Sequence, residues 1–292
     1  MGTWTVAETL TAMRDNLLDP TAERYTDAVL LGAVNTAGRE INPLILRVRP
    51  NLLRRTVDIN FVANTATYSI PTRVGKILAL QRMTSTGYPD YDMLPLEADE
   101  LTGYSRAARA DWYILGENSI TIDRTPTTAQ TSAIRIHYAP SYVAVHTGIV
   151  GGGTTTTLTM ATNPLLGTIL SGDDVYIGAR VRLTNNLPAG VLGLEGTVTD
   201  SVASTKVLTT TPAWSTTPTT ATTYEIEIDV PDLGMPALVW SACYHVAATR
   251  APESAAYFAA EKTKAINALN ASMNDYLPKD SGGRRPIPGI VK

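Results

Sequence analysis

The sequence predicts an α+β fold: a helical bundle built from both chain ends, packed beside a small antiparallel sheet, with an inserted all-β barrel or sandwich-like module. Three observations carry this. Apolar residues recur at three- and four-residue steps near both ends, and they alternate from about Thr56 to Tyr138. Between about Val145 and Thr223 the composition turns abruptly to threonine and glycine. The expected division is a frame of residues 1–144 and 225–276, an inserted module of 145–224, and an extended tail of 277–292.

The elements follow in order. Thr5-Val6-Ala7-Glu8 has capping-box spacing, and Leu10, Met13 and Leu17 share a helical face up to Leu18. A second helix is expected from about Ala22 to Glu40, with Tyr25, Val29, Val34, Ala37 and Ile41 on one stripe, closed or kinked by Asn42-Pro43. The two helices read as an antiparallel pair. Val57, Ile59 and Phe61 then alternate with Asp58 and Asn60, and Tyr68, Ile70 and the run Val74 to Met83 keep strand character. Gly116-Glu117-Asn118 separates two apolar alternations as in a hairpin, and Ala133 to Tyr138 supplies a further strand.

In the Thr-rich segment, strands are expected at Thr156–Met160, Asp174–Leu183, Gly193–Asp200, Thr205–Thr210 and Thr222–Ile228. Gly151-Gly152-Gly153 reads as a flexible lead into this module, since no Lys-Ser or Lys-Thr follows to make a phosphate loop. Helical spacing returns after Val230-Pro231-Asp232, with Leu238, Ala242, Tyr244 and Ala248, and breaks near Ala251-Pro252. A last helix carries Phe258, Ile266, Leu269, Met273 and Tyr276, a stripe that needs a helical partner. Beyond it, Leu277 to Lys292 holds three prolines and three glycines without apolar periodicity, so it cannot fold alone and needs another surface for order.

Composition narrows the function. The net charge of −3 and the pI of 5.7 argue against a protein whose main task is gripping phosphates. Arg47, Arg49, Arg54 and Arg55 are a local exception: either they face an acidic partner or DNA, or they are a solvated helix-to-strand connection. The start lacks signal-peptide order, and no stretch approaches membrane-spanning length, which points to a protein made in a cytosol and without membrane contact. His137, His146 and His245 lack metal-ligand spacing, Cys243 is the one cysteine, and Asp173-Asp174 reads as a turn; no metal, cofactor or catalytic residue is assigned. Cys243 and His245 diverge by about 200° on a helix and cannot act as nucleophile and base together. Thirteen tyrosines against two phenylalanines suit either an interface or half-buried sheet positions.

The frame resembles the head-to-tail adaptor (connector) proteins of tailed bacteriophages. The resemblance rests on Asn35-Thr36-Ala37 in the helix from Asp27, on Ala66-Thr67-Tyr68-Ser69-Ile70-Pro71, and on the hairpin Tyr113 to Ile122. It continues in Asp123-Arg124-Thr125-Pro126, His137-Tyr138-Ala139-Pro140 and the Val230-Pro231 lead into a helix pair. The inserted segment resembles a β module of phage virion proteins through Asp173-Asp174-Val175-Tyr176-Ile177-Gly178, Val198-Thr199-Asp200, Pro212-Ala213-Trp214 and Tyr224-Glu225-Ile226. The resemblance implies a dodecameric ring in the virion neck, portal protein above, tail or neck proteins below, and genomic DNA passing non-specifically through the channel. It implies no enzyme activity. It also implies a portal-docking tail, with Pro286 and Pro288 presetting extension, Ile287, Ile290 and Val291 filling apolar clefts, and Arg284 and Arg285 meeting carboxylates. The Thr-rich segment leaves a competing expectation of a secreted or surface β-rich adhesin or carbohydrate-binding protein.

Overall fold

The structure is a computed structural model and describes residues 4–95, 112–116, 119–123 and 125–275. The predicted tail, with Arg284, Arg285, Pro286, Ile287, Pro288, Ile290 and Val291, lies outside these residues, as does Tyr276.

Helix α1, Val6–Asn16, opens on a complete capping box: Glu8 N–H donates to Thr5 Oγ1 at 3.1 Å and Thr5 N–H donates to the Glu8 carboxylate at 2.7 Å. Helix α2, Asp27–Val48, starts and ends later than its spacing suggests. It starts late because the Asp19 carboxylate accepts the amides of Glu23, Arg24 and Tyr25 at 3.0–3.1 Å and folds them into a turn. It also runs through Pro43, where a stop or kink is expected from the lost amide donor. Ile41 and Ile45, fully buried on either side, hold this stretch to the core, and the Asn42 side chain donates to the Pro140 carbonyl at 3.3 Å. Each such buried side chain contributes about 1.5–3 kcal/mol.

Helices α3, Met235–Arg250, and α4, Ala255–Asp275, complete an apolar core shared by all four helices. The predicted α4 stripe is in place, with Phe258, Leu269 and Met273 buried and Ile266 packed against the core. Helix α3 has no single stripe. It contacts α1, α2 and α4, so Leu238, Val239, Ala242, Cys243 and Val246 are buried around most of its circumference while Ala248 is exposed.

The first sheet comprises β1 (Arg55–Phe61), β2 (Thr67–Ser69), β3 (Val74–Met83), β4 (Pro89–Pro95), β5 (Trp112–Leu115), β6 (Ser119–Ile122) and β7 (Gln130–Pro140). The strand order is β1-β7-β3-β4-β5-β6-β2. The expectation of a wholly antiparallel sheet is corrected, because β4 and β5 pair in parallel, which a connection of this length permits. Strand β4 is not expected from the sequence, yet Leu80 to Met83 of β3 pair with it and proline occupies its tolerated first position. Phe61 stacks on Tyr68 with ring centroids 5.5 Å apart, bringing the outer strands β1 and β2 together at one corner.

Strands β8 (Thr147–Gly153), β9 (Thr157–Met160), β10 (Arg180–Leu183), β11 (Glu195–Val202), β12 (Val207–Thr211) and β13 (Thr223–Ile226) close a barrel in the order β10-β11-β12-β9-β8-β13. Val150, Leu158, Val181, Val198, Leu208 and Ile226 fill it. Two expectations are corrected. Gly151-Gly152-Gly153 is strand rather than flexible lead, because Val150 to Gly153 pair with Leu158 to Met160 across a bulge. The expected strand from Asp174 starts only at Arg180, since left-handed backbone at Asp174 (φ 61°) and Gly178 (φ 76°) interrupts extension. Thr147 pairs with Glu225, so the chain enters and leaves the barrel side by side.

Candidate interaction surfaces

Barrel and sheet meet at a joint made of charge. Strand β13 and its continuation read Glu225-Ile226-Glu227-Ile228-Asp229, an alternation that resembles a solvated face, yet all three carboxylates are buried. Asp229, 6% exposed, is shared by Arg55 at 3.1 Å and by Arg73, which is 4% exposed. Arg73 also donates to the carbonyls of Ser141 (3.1 Å) and Ile177 (3.4 Å), so one guanidinium ties sheet, barrel and both connecting segments. The adjoining connection is clamped by α2. Asn35 Oδ1 accepts from Val145 N–H at 2.7 Å and from the Tyr142 hydroxyl at 3.1 Å, and Asn35 Nδ2 donates to the Val145 carbonyl at 3.0 Å. The Tyr142 ring lies so close to Gly38 that any side chain there would collide with it.

A second ionic cluster meets the start of α1. Val6 N–H donates to Glu225 Oε2 at 3.0 Å, setting a carboxylate at the positive helix end. Arg182 reaches Glu195 (2.9 Å), Glu227 (3.1 Å) and Glu225 (3.4 Å), and Arg180 reaches Glu195 and Glu227, each at 3.3 Å. Burial raises the pKa of Glu225 against the pull of Val6 N–H and Arg182. It pushes Glu227 up to about 7, with Arg180 the first opposing charge.

The outer edge of β1 and the barrel wall bound a cleft of about 740 Å³. Arg54, Arg55, Arg135 and Arg180 line it against one carboxylate, Asp58. Asp58 holds Arg135 in a two-point pair at 2.8 and 2.9 Å. Arg54 donates to His137 Nδ1, with Nη2 at 2.9 Å. Arginine has no acceptor, so Nδ1 accepts and Nε2 carries the proton toward Gln81 Oε1 at 2.7 Å. Burial, then the charges of Arg54 and Arg135, lower the His137 pKa and keep the ring neutral.

The predicted arginine group therefore divides. Arg55 belongs to the buried joint, Arg54 to the cleft, Arg47 is exposed in the last turn of α2, and Arg49 is half-buried at its end. Arg73 and Asp229 carry no motif; their one sequence signal is a charge set among apolar neighbours. His245 lies 3.0 Å from Glu40, which Lys262 reaches at 2.7 Å, linking α3, α2 and α4. His146 is fully buried between Tyr176 and Tyr224, and burial pushes its pKa down to about 4. Cys243 is buried near the Met13 carbonyl, with burial pushing its thiol up to about 12. Asp173 accepts from Ala203 N–H at 2.7 Å, a turn contact. Among the described residues no group of three or more His, Cys, Asp or Glu could hold a metal ion, and no helix is long and apolar enough to cross a membrane.

No curated protein matches the chain. Comparison with protein families matches residues 4–181 to the SU10 adaptor protein. The match takes in α1, α2, the seven strands of the first sheet and β8 and β9 of the barrel, and ends within β10. It covers more than half of the chain and the stretches of the resemblance from Asn35 to Pro140, though not Val230-Pro231 or the motifs from Val198 onward: the chain belongs to the SU10 adaptor protein family, structural head-to-tail adaptors of bacteriophages.

Proposed function

We propose that this chain forms a dodecameric ring in the virion neck, joined to the portal protein on one side and to tail or neck proteins on the other, with genomic DNA passing through its channel. The single observation that carries this reading is the family match over residues 4–181. The helices of both chain ends, set beside the sheet, are the ring-building frame; residues 145–224 are an inserted module; residues 277–292 are the portal-docking tail. The net charge of −3 suits a conduit through which DNA moves without being held. No step of this function calls for catalysis. The family match supports the adaptor reading over that of a carbohydrate-binding protein.

In the tail, Pro286 and Pro288 favour extension, Ile287, Ile290 and Val291 enter apolar clefts of the portal, and Arg284 and Arg285 pair with carboxylates at the rim. Repetition around a ring turns weak single contacts into a firm junction. Truncation after Tyr276 tests this. The expected outcome is an unchanged melting temperature with loss of co-sedimentation with portal-bearing heads, and normal occupancy by truncated subunits would overturn the docking role.

A further inference from the structure

Arg182 Nη2 lies 2.9 Å from Glu195 Oε1 and 3.1 Å from Glu227 Oε1, and Arg180 lies 3.3 Å from the other oxygen of each. The two arginines draw these carboxyl groups together, close enough to hydrogen-bond to each other. Ionised carboxylates only accept, so such a bond requires a proton on one of them. Glu227 is the residue in need of it. It is 8% exposed, and its Oε1 is buried without a hydrogen-bond partner among the described residues, while Arg182 Nε and Nη1 donate to Glu195 and Glu225. The charges agree. Glu225 faces the same arginines, so three carboxylates meet two guanidinium groups, and Glu8 of α1 adds negative charge nearby. Arg55 and Asp229, across a narrow gap from Glu227, pair with each other. An excess negative charge in a buried cluster is costly unless a proton neutralises it.

We infer that Glu227 and Glu195 share one proton, and that its release loosens the barrel from the start of α1. The proton sits on Glu227 Oε1 and is donated to the Glu195 carboxylate, which satisfies the buried oxygen and balances the cluster. The link to α1 runs through Glu225, two residues from Glu227 on the same strand face, which accepts from Val6 N–H at 3.0 Å. Once the proton leaves, Glu195, Glu225 and Glu227 repel one another, and water relieves the repulsion by entering along the first turn of α1. A groove of about 750 Å³ already runs there, from Val6 and Leu10 to Arg182 and Glu225. Burial, helped by Glu195 and opposed by Arg180 and Arg182, pushes Glu227 up to about 7. A carboxyl group so raised contributes stability that is full below its ordinary value of 4.5 and is lost as pH rises through about 7. The latch therefore tightens in mild acid and loosens in mild base.

The full-length chain at pH 6 and pH 8.5 tests this by infrared difference spectroscopy and hydrogen-exchange mass spectrometry. A protonated-carboxyl stretch is expected in the wild type at pH 6, lost at pH 8.5, and absent from Glu227→Gln, whose amide donates at either pH. Exchange of the peptide from Val6 to Met13, corrected for the intrinsic rate, is expected to speed about tenfold at pH 8.5 in the wild type, the effect of one linked proton over one pH unit. In Glu227→Gln it should stay flat. Glu195→Gln, which removes one carboxylate and gives Glu227 an amide donor, should be equally flat and serves if Glu227→Gln does not fold. No band lost from the wild type, or a band of equal size in the folded variant, overturns the shared proton. A band that behaves as expected while exchange of α1 stays flat, or speeds equally in wild type and variant, overturns the hold on α1.

Discussion

The helical layer and the barrel–sheet joint are buried to similar degrees but by opposite chemistry. Met13, Leu30, Ile41, Ile45 and Leu238 exclude water with hydrocarbon alone, whereas Arg55, Arg73 and Asp229 do so with charges that satisfy one another. The difference teaches where each region is vulnerable. A truncated apolar side chain leaves a cavity that neighbours partly refill. A deleted carboxylate removes the one counter-charge that two buried guanidinium groups share, which costs more than the intact set contributes.

Asp229→Ala is therefore expected to have the largest effect, about 3–5 kcal/mol in a denaturant titration. A loss under about 1 kcal/mol would mean that water reaches the joint and the contrast fails. Met13→Ala comes next, about 2–5 kcal/mol, and with less dependence on ionic strength than Asp229→Ala.

Acid sharpens the comparison at a third place, the barrel interior. The His146 pKa falls from 6.5 to about 4 because burial disfavours the charged ring. A depressed histidine contributes stability that is full above pH 6.5 and is lost as pH falls toward 4, a change of about 3 kcal/mol. Asp19 loses stability in the same direction. Burial alone would raise its pKa, but the amides of Arg24, Tyr25 and Glu23 and the charge of Arg14 outweigh it and lower it. Glu227 runs the other way, its burial penalty easing as pH falls below about 7. Thermal melts of wild type and His146→Gln from pH 7.5 to 4.5 separate these contributions. The variant is expected to show the shallower slope, and parallel curves would remove His146 from the account. The smallest effect belongs to Arg47→Ala, exposed at the end of α2, which should leave stability within about 0.5 kcal/mol.

How much of this was legible depends on what fixed each feature. The capping box at Thr5 and Glu8, the alternation of Val57, Ile59 and Phe61, and the hairpin of β5 and β6 are local, and local residues announce them. Pro43 inside α2 depends on core partners far along the chain, while the strands Pro89–Pro95 and Gly151–Gly153 depend on pairing with the neighbouring strands β3 and β9, which their own residues do not announce. Tertiary contact overrides propensity there. The joint was hidden for a sharper reason. Glu225, Glu227 and Asp229 alternate with isoleucine as solvent-facing residues do, and only the arrival of Arg182, Arg180, Arg55 and Arg73 from elsewhere turns that face inward. Of the candidate contact residues, the arginine group was visible as a cluster but not its division between joint and cleft.

The central claim, that this adaptor works as a ring, is tested most directly by native mass measurement of the full-length chain, alone and with its portal protein. The account predicts a closed species of twelve subunits, formed on the portal if not before. A chain that stays monomeric or dimeric with portal present would contradict it.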